Sequence, residues 1–488
     1  MDKIRSGICS FLRIQPASSN TIYINERLDR EANAIKNAVW YRGDSDELAE
    51  MYRQLDSDKT KFWAAVPTVG MEIRKIHTGL PSIIVDRLTD IVMTDLNEIT
   101  VPPNLTDAWG EIIEENDFIE LLKAAVTETL YIGDGAFKLS FDTKISKYPI
   151  IEFIAGDRVE FERERGRIRA VVFKTLYHYE HREYTLIEKY GFGFIESKLM
   201  RGSDEVPLNS IPQTANLAPE VKFDGDFCMA VPLMFFKSAK WNGHGKSIFD
   251  GKCDAFDALD ETWSQWMDAL RKGRTKEYIP DSMLPRDPRT GEILMPNAFD
   301  NAYIKVDTDM RESSTQKTEV IQPSIPYESY QSTYITALDL CLQGLISPST
   351  LGIDVKKLDN AEAQREKEKT TLYTRGAIIS ALQKTIPKLI NNIFKAYDTF
   401  YKRPASDIDV EVPFGEYANP SFESQVETCG KARQFGLMSV ETMVDELHGD
   451  TRSSEWKREE VSRIKAEQGI AEIDAEPSLG DELGDLIG

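Results

Sequence analysis

Asp250-Gly-Lys-Cys-Asp-Ala-Phe-Asp-Ala-Leu-Asp-Glu-Thr-Trp-Ser-Gln-Trp-Met-Asp-Ala-Leu-Arg-Lys-Gly-Arg274 is the stretch from which the rest of the chain can be ordered. Cys253, Phe256, Leu259, Trp263, Trp266 and Leu270 fall in steps of three and four, which puts them on one face of a helix. Aspartates and Glu261 crowd its first half while Arg271, Lys272 and Arg274 close it, the arrangement the helix dipole favours. Such a helix would run about 35 to 40 Å. A second helix is expected from Tyr327, striped by Tyr330, Tyr334, Leu338, Cys341 or Leu342, and Leu345, and stopping at Ser347-Pro348 where proline cannot continue the ladder. Between them, residues 276–326 are rich in proline and include a hairpin-like turn at Arg289-Thr-Gly291. Two antiparallel helices that carry a small strand-and-turn module away from a body form a stalk, and its apolar stripe demands neighbours.

After the second helix come Ser347-Pro-Ser-Thr-Leu-Gly352, then Asp359-Asn-Ala-Glu362, which has the form of a capping box, and a charged run over 360–369 opening a long helix. Together with Gly245-Lys-Ser-Ile-Phe-Asp250 before the first helix and Gly156-Asp-Arg-Val-Glu160 upstream, this order of elements resembles the portal proteins of tailed bacteriophages, the head-to-tail connectors. The resemblance lies in order and spacing, and runs over most of the chain.

It implies an α+β subunit with a mixed α/β wing, a two-helix stem, a small strand-rich clip and a helical C-terminal crown. On this chain that means residues 1–45 as an N-terminal arm, 46–246 as the wing (helices, then antiparallel strands), 247–275 as stem helix one and 276–326 as the clip. Residues 327–346 follow as stem helix two, 347–360 as a tunnel loop, 361–415 as a long kinked helix and a strand returning to the wing, 416–468 as the crown and 469–488 as an acidic tail. The family forms a homomeric ring, dodecameric in the particle, at one capsid vertex of the virion, assembled in the host cytoplasm. Its expected partners are further copies of itself, the major capsid protein and scaffold, the terminase large subunit, the neck or tail adaptor, and double-stranded DNA passing without sequence recognition. No catalysis, cofactor, metal or membrane is expected.

The stem stripe of Phe256, Trp263, Trp266 and Leu270, with Tyr334 and Leu338, is then expected between subunits, since cyclic closure lets each stripe cover the next. Arg286, Asp287, Arg289 and Glu292 at the clip turn would face the motor or adaptor, and Lys356 and Lys357 in the tunnel loop would meet DNA phosphates.

Composition is compatible with this. The 488 residues carry 59 basic and 81 acidic side chains, a net charge of −22, whereas a protein that grips nucleic acid should be basic. A passage that must not hold DNA suits the acidity, and so does plain solubility. Five well-separated cysteines at no metal or redox spacing fit reduced thiols. The start mimics a signal peptide, but Ser6, Gly7, Ser10 and Arg13 interrupt the apolar run, so secretion is not expected. No run approaches the roughly 18 apolar residues a membrane span needs.

Other site signals fail on inspection. Gly243-His-Gly-Lys-Ser247 has Lys240 where a phosphate loop needs glycine, and Gly191-Phe-Gly193 has Glu196 where a dinucleotide loop needs its third glycine. His178 and His181 sit an odd spacing apart in a presumed strand and so point to opposite faces. The competing readings are a cytoplasmic enzyme with a helical insertion and a ring-forming structural component unrelated to phage.

Elsewhere Ile22, Ile24, Leu28 and Ile35 suggest a helix in the arm, and helices are expected around Leu48, Ile84, Trp109 and Leu122, the last ending near Gly133. A period-two meander should occupy 149–232, turning at Arg165-Gly166. Pro387 should kink the long helix, 407–414 should be a strand, and Val426, Leu437, Val440, Met443, Leu447, Trp456, Val461 and Ile464 should hold together two or three crown helices.

Overall fold

The computed structural model describes residues 28–55, 60–68, 72–280, 286–292, 303–306, 319–353, 361–415, 422–448 and 454–467. The chain divides into two compact units, Met1–Phe414 and Gly415–Gly488.

In the first unit, α1 (Arg30–Arg42), α2 (Ser45–Gln54), α3 (Leu80–Thr94), α4 (Thr106–Asn116) and α5 (Phe118–Ile132) precede the strands. Asp29 and Asp44 cap α1 and α2 through their carboxylates, which is why two helices can follow one another so closely across Gly43 at φ 69°. The helix assigned to an arm belongs to the body. Its buried face is Asn33, Ala34, Asn37, Val39 and Trp40, whereas Ile35, read as part of its apolar face, remains 58% exposed. The inversion has a cause: Asn33 and Asn37 donate to Asp250 Oδ1 at 3.0 and 3.4 Å, so a polar face goes inward to meet a carboxylate.

β1 (Asp134–Ser140) pairs antiparallel with β2 (Ile150–Ala155) on one side and β9 (Ala230–Met234) on the other. The expected meander is present as β3 (Val159–Glu164), β4 (Arg167–Tyr179), β5 (Arg182–Gly191), β6 (Phe194–Arg201) and β7 (Asp204–Val206), with β8 (Glu220–Lys222) also on β6. Its first two hairpins turn on residue pairs with both φ positive, Arg165-Gly166 and Glu180-His181, the primed geometry that matches strand twist. His181 therefore lies in a turn and not in a strand, and the second hairpin lacks the Asn-Gly or Asp-Gly signal that would have marked it.

α6 (Cys253–Lys272) and α7 (Tyr327–Leu342) are the two striped helices, and α8 (Ala361–Phe400) is the long one. α7 ends short of Ser347-Pro348, because Gly344 at φ 77° reverses the chain first. α8 runs as one helix through Pro387, burying Ile378, Leu382, Ile386, Leu389, Ile390 and Ile393 completely. Asn391 braces it, accepting from Ile408 N at 2.8 Å and donating to the carbonyl of Ile408 at 2.9 Å. Residues 407–414 return to the body as expected, but as two isolated bridges, Leu96↔Phe414 and Thr100↔Glu411, because Pro413 has no N–H to extend the ladder. Phe118, Phe137, Phe173, Phe249 and Phe256 lie fully buried in one continuous core that α8 also joins.

The second unit holds α9 (Phe422–Gln434), α10 (Val440–His448) and α11 (Ser454–Glu467). Val440 and Val444 are buried in it, but Leu437, expected in its core, is 82% exposed because it follows the cap turn at Gly436, φ 69°.

Candidate functional site

The base of the α6–α7 pair is a buried polar knot. The Asp134 carboxylate, at the start of β1, accepts from Gly245 N at 2.7 Å and faces His244 Nδ1 at 2.9 Å. Arg30 Nη1 lies 3.8 Å from its other oxygen while the same guanidinium donates to the carbonyls of Gly156 and Val159. A Cβ on Gly156 would stand 2.0 Å from Asp134 Oδ1, and one on Gly245 would stand 2.0 Å from the Gly133 carbonyl. The two glycine motifs singled out in the sequence are thus halves of one close approach. Beyond it, Ser247 Oγ donates to the Tyr131 carbonyl at 2.6 Å and Ile248 N to that of Leu130 at 3.0 Å, which fastens the lead-in to α6 onto the end of α5.

α6 is held from below by its acids. Asp257 accepts from Phe62 N at 3.0 Å and Trp63 N at 3.2 Å; burial pushes its carboxyl above the usual range, opposed by those two N–H groups. Fully buried Asp260 accepts from Trp63 Nε1 at 3.2 Å, from Thr78 N and Oγ1 at 2.9 Å, and faces His77 Nδ1 at 2.7 Å. Ser264 Oγ accepts from Ile76 N at 2.9 Å.

Aromatics join α6 to α7. Trp263 meets Tyr334 at 5.5 Å between ring centroids, and Trp266 stacks on Tyr330 at 6.3 Å with planes 9° apart. Lys252 Nζ, whose pKa burial lowers from the usual lysine range, donates to the carbonyls of Leu340 and Gln343 at 2.8 and 2.7 Å, capping the C-terminus of α7 from the start of α6. The helices are therefore antiparallel. Buried Cys341 lies at the same end, and loss of solvent pushes its thiol up to about 12.

Between the helices a small sheet orders as β11 (Tyr303–Val306), β10 (Lys276–Pro280) and β12 (Glu319–Ile321), parallel on one side and antiparallel on the other. The expected turn is closed by Asp287 N to the Glu292 carbonyl and Gly291 N to that of Asp287, both 2.8 Å, with Arg286 Nη1 on the Gly291 carbonyl at 3.2 Å and Arg289 N on Asp287 Oδ1 at 2.8 Å. Arg286, Arg289 and Glu292 are exposed.

Part of the expected subunit-facing stripe lies inside this chain. Phe256 is 1% and Leu338 6% exposed within this chain, so both are consumed by its own core. Trp263, Trp266 and Tyr334 are half-buried, and Leu270 is 44% exposed. Lys356, Lys357 and the capping signal at Asp359 lie outside the described residues. Among the described residues no three His, Cys, Asp or Glu side chains gather as a metal site, and no helix is long and apolar enough to cross a membrane.

No protein-family model matches the chain, and no curated protein matches it. Among solved structures, a chain in the neck of a native gene transfer agent particle computed with C12 symmetry is 10% identical over 78% of this chain and 89% of that one, at TM-score 0.40. A chain of the virion of a native gene transfer agent particle is 11% identical over the same shares, at TM-score 0.36. Both are parts of assembled particles.

Proposed function

We propose that this chain is the portal subunit of a tailed phage or phage-like particle, assembling as a homomeric ring through which double-stranded DNA enters and leaves a capsid. The observation that supports this most is the excursion over residues 253–342: two antiparallel helices bolted to a body at one end, carrying a small mixed sheet at the other. A clasped turn and a 40-residue helix follow it. The half-buried Trp263, Trp266 and Tyr334 with exposed Leu270 are the remaining candidates for a neighbour's contact. In this reading the turn bearing Arg286, Asp287, Arg289 and Glu292 faces a packaging motor and later a neck or tail adaptor. Lys356 and Lys357 touch passing phosphates, and the net charge of −22 lets DNA slide instead of sticking. Chemistry would reside in a separate motor.

The purified full-length chain is expected to form rings with a central hole in negative-stain images and to sediment as one large species. Monomers without any hole, at concentrations where the chain is folded, would overturn the reading.

A further inference from the structure

The lead-in to α6 carries the only Asn-Gly pair in the chain, Asn242-Gly243, beside the knot that holds Asp134. It sits in a turn over 241–244, closed by His244 N donating to the Trp241 carbonyl at 3.1 Å, with Gly243 at φ 87°. Asn242 is exposed. The Gly243 N–H meets no acceptor among the described residues, and glycine puts no Cβ in the way of that nitrogen. Outside the turn, Arg163 Nη2 donates to the Gly243 carbonyl at 2.8 Å. Breaking these two bonds lets the backbone of Asn242 rotate until its side-chain carbonyl carbon meets the Gly243 nitrogen.

We propose that Asn242-Gly243 is a site of spontaneous backbone modification, where the chain deamidates through a cyclic imide and so loosens the base of α6. Gly243 N bonds to Asn242 Cγ and gives up its proton; the Cγ–Nδ2 bond breaks and the side-chain nitrogen leaves as ammonia. Water then opens the ring. Opening at Cγ leaves aspartate. Opening at the original backbone carbonyl leaves isoaspartate, whose main chain runs through Cγ and is one carbon longer. Position gives the reaction its consequence, because His244 and Gly245, the next two residues, meet the Asp134 carboxylate at 2.9 and 2.7 Å. A Cβ on Gly245 would stand 2.0 Å from the Gly133 carbonyl, so this close approach has no room for a lengthened chain.

The test ages the full-length chain in mildly alkaline buffer, which deprotonates more of the attacking amide, and follows it by peptide mapping with mass spectrometry. Asn242 is expected to convert about tenfold faster than Asn209, which is also exposed but precedes Ser210, whose Cβ hinders the same attack. An Asn242 that outlasts Asn209 overturns the modification site. Asn242→Gln, whose longer side chain would have to close a larger ring, is expected to age without change at this position. Hydrogen exchange at the Gly245 amide should quicken by about tenfold in the isoaspartate fraction and stay within about twofold of wild type in freshly made Asn242→Asp, which adds the charge without the extra carbon. Isoaspartate with unchanged Gly245 exchange overturns the loosening.

Discussion

Asp260 sits midway along α6 with no exposure, and groups from Trp63, His77 and Thr78 stand where water would otherwise solvate its carboxylate. Removing one side of such a buried, fully bonded set leaves several donors without an acceptor. Asp260→Ala should therefore cost about 3 to 5 kcal/mol, read as a lower denaturant midpoint with an unchanged slope. A loss under about 1 kcal/mol would mean the donors find other partners. The sequence shows α6 as a helix but gives no means of ranking its acids. Asp254 is 82% exposed and pairs with Lys61 at 2.6 Å, whereas Asp257 and Asp260 are buried. Their partners come from residues 62–78, far back in the chain, so no local spacing marks them.

For the helices, periodicity was a good guide to existence and a poor one to what the stripe touches. α6 and α7 lie where the apolar spacing puts them, but the inner part of the stripe closes on this chain's own core, and only its outer part is left to meet a neighbour. Substitutions should separate the two parts. Phe256→Ala should destabilise the isolated chain by about 3 to 5 kcal/mol by opening a cavity. Trp266→Glu should change that stability less and instead abolish or distort rings, measured by sedimentation; normal rings would remove the outer stripe from the interface. The same holds for α1, whose inward asparagine face is legible only once Asp250 is known to lie opposite it.

The two units should respond differently to acid. In the C-terminal one, Lys465 Nζ lies 2.5 Å from Glu441 and holds its carboxyl down from 4.5 to about 2, helped by Ser439 and a backbone N–H. Lys457 joins Asp445 at 2.6 Å between the same helices. A depressed folded value means the contribution is present above the unfolded one and is lost as pH falls through the folded one. The α10–α11 contact should accordingly loosen between pH 4.5 and about 2, seen as faster amide exchange in α11, and Glu441→Gln should reduce that pH dependence. In the body, the Lys252 cap brings the first and last residues of the 253–342 excursion together at one place. A segment whose two ends meet can be lengthened, shortened or exchanged without moving what it is attached to. Beyond the core-bound Ser264 and before Ala337 the excursion is therefore a replaceable cassette, and an engineer could graft a foreign tip between those two points.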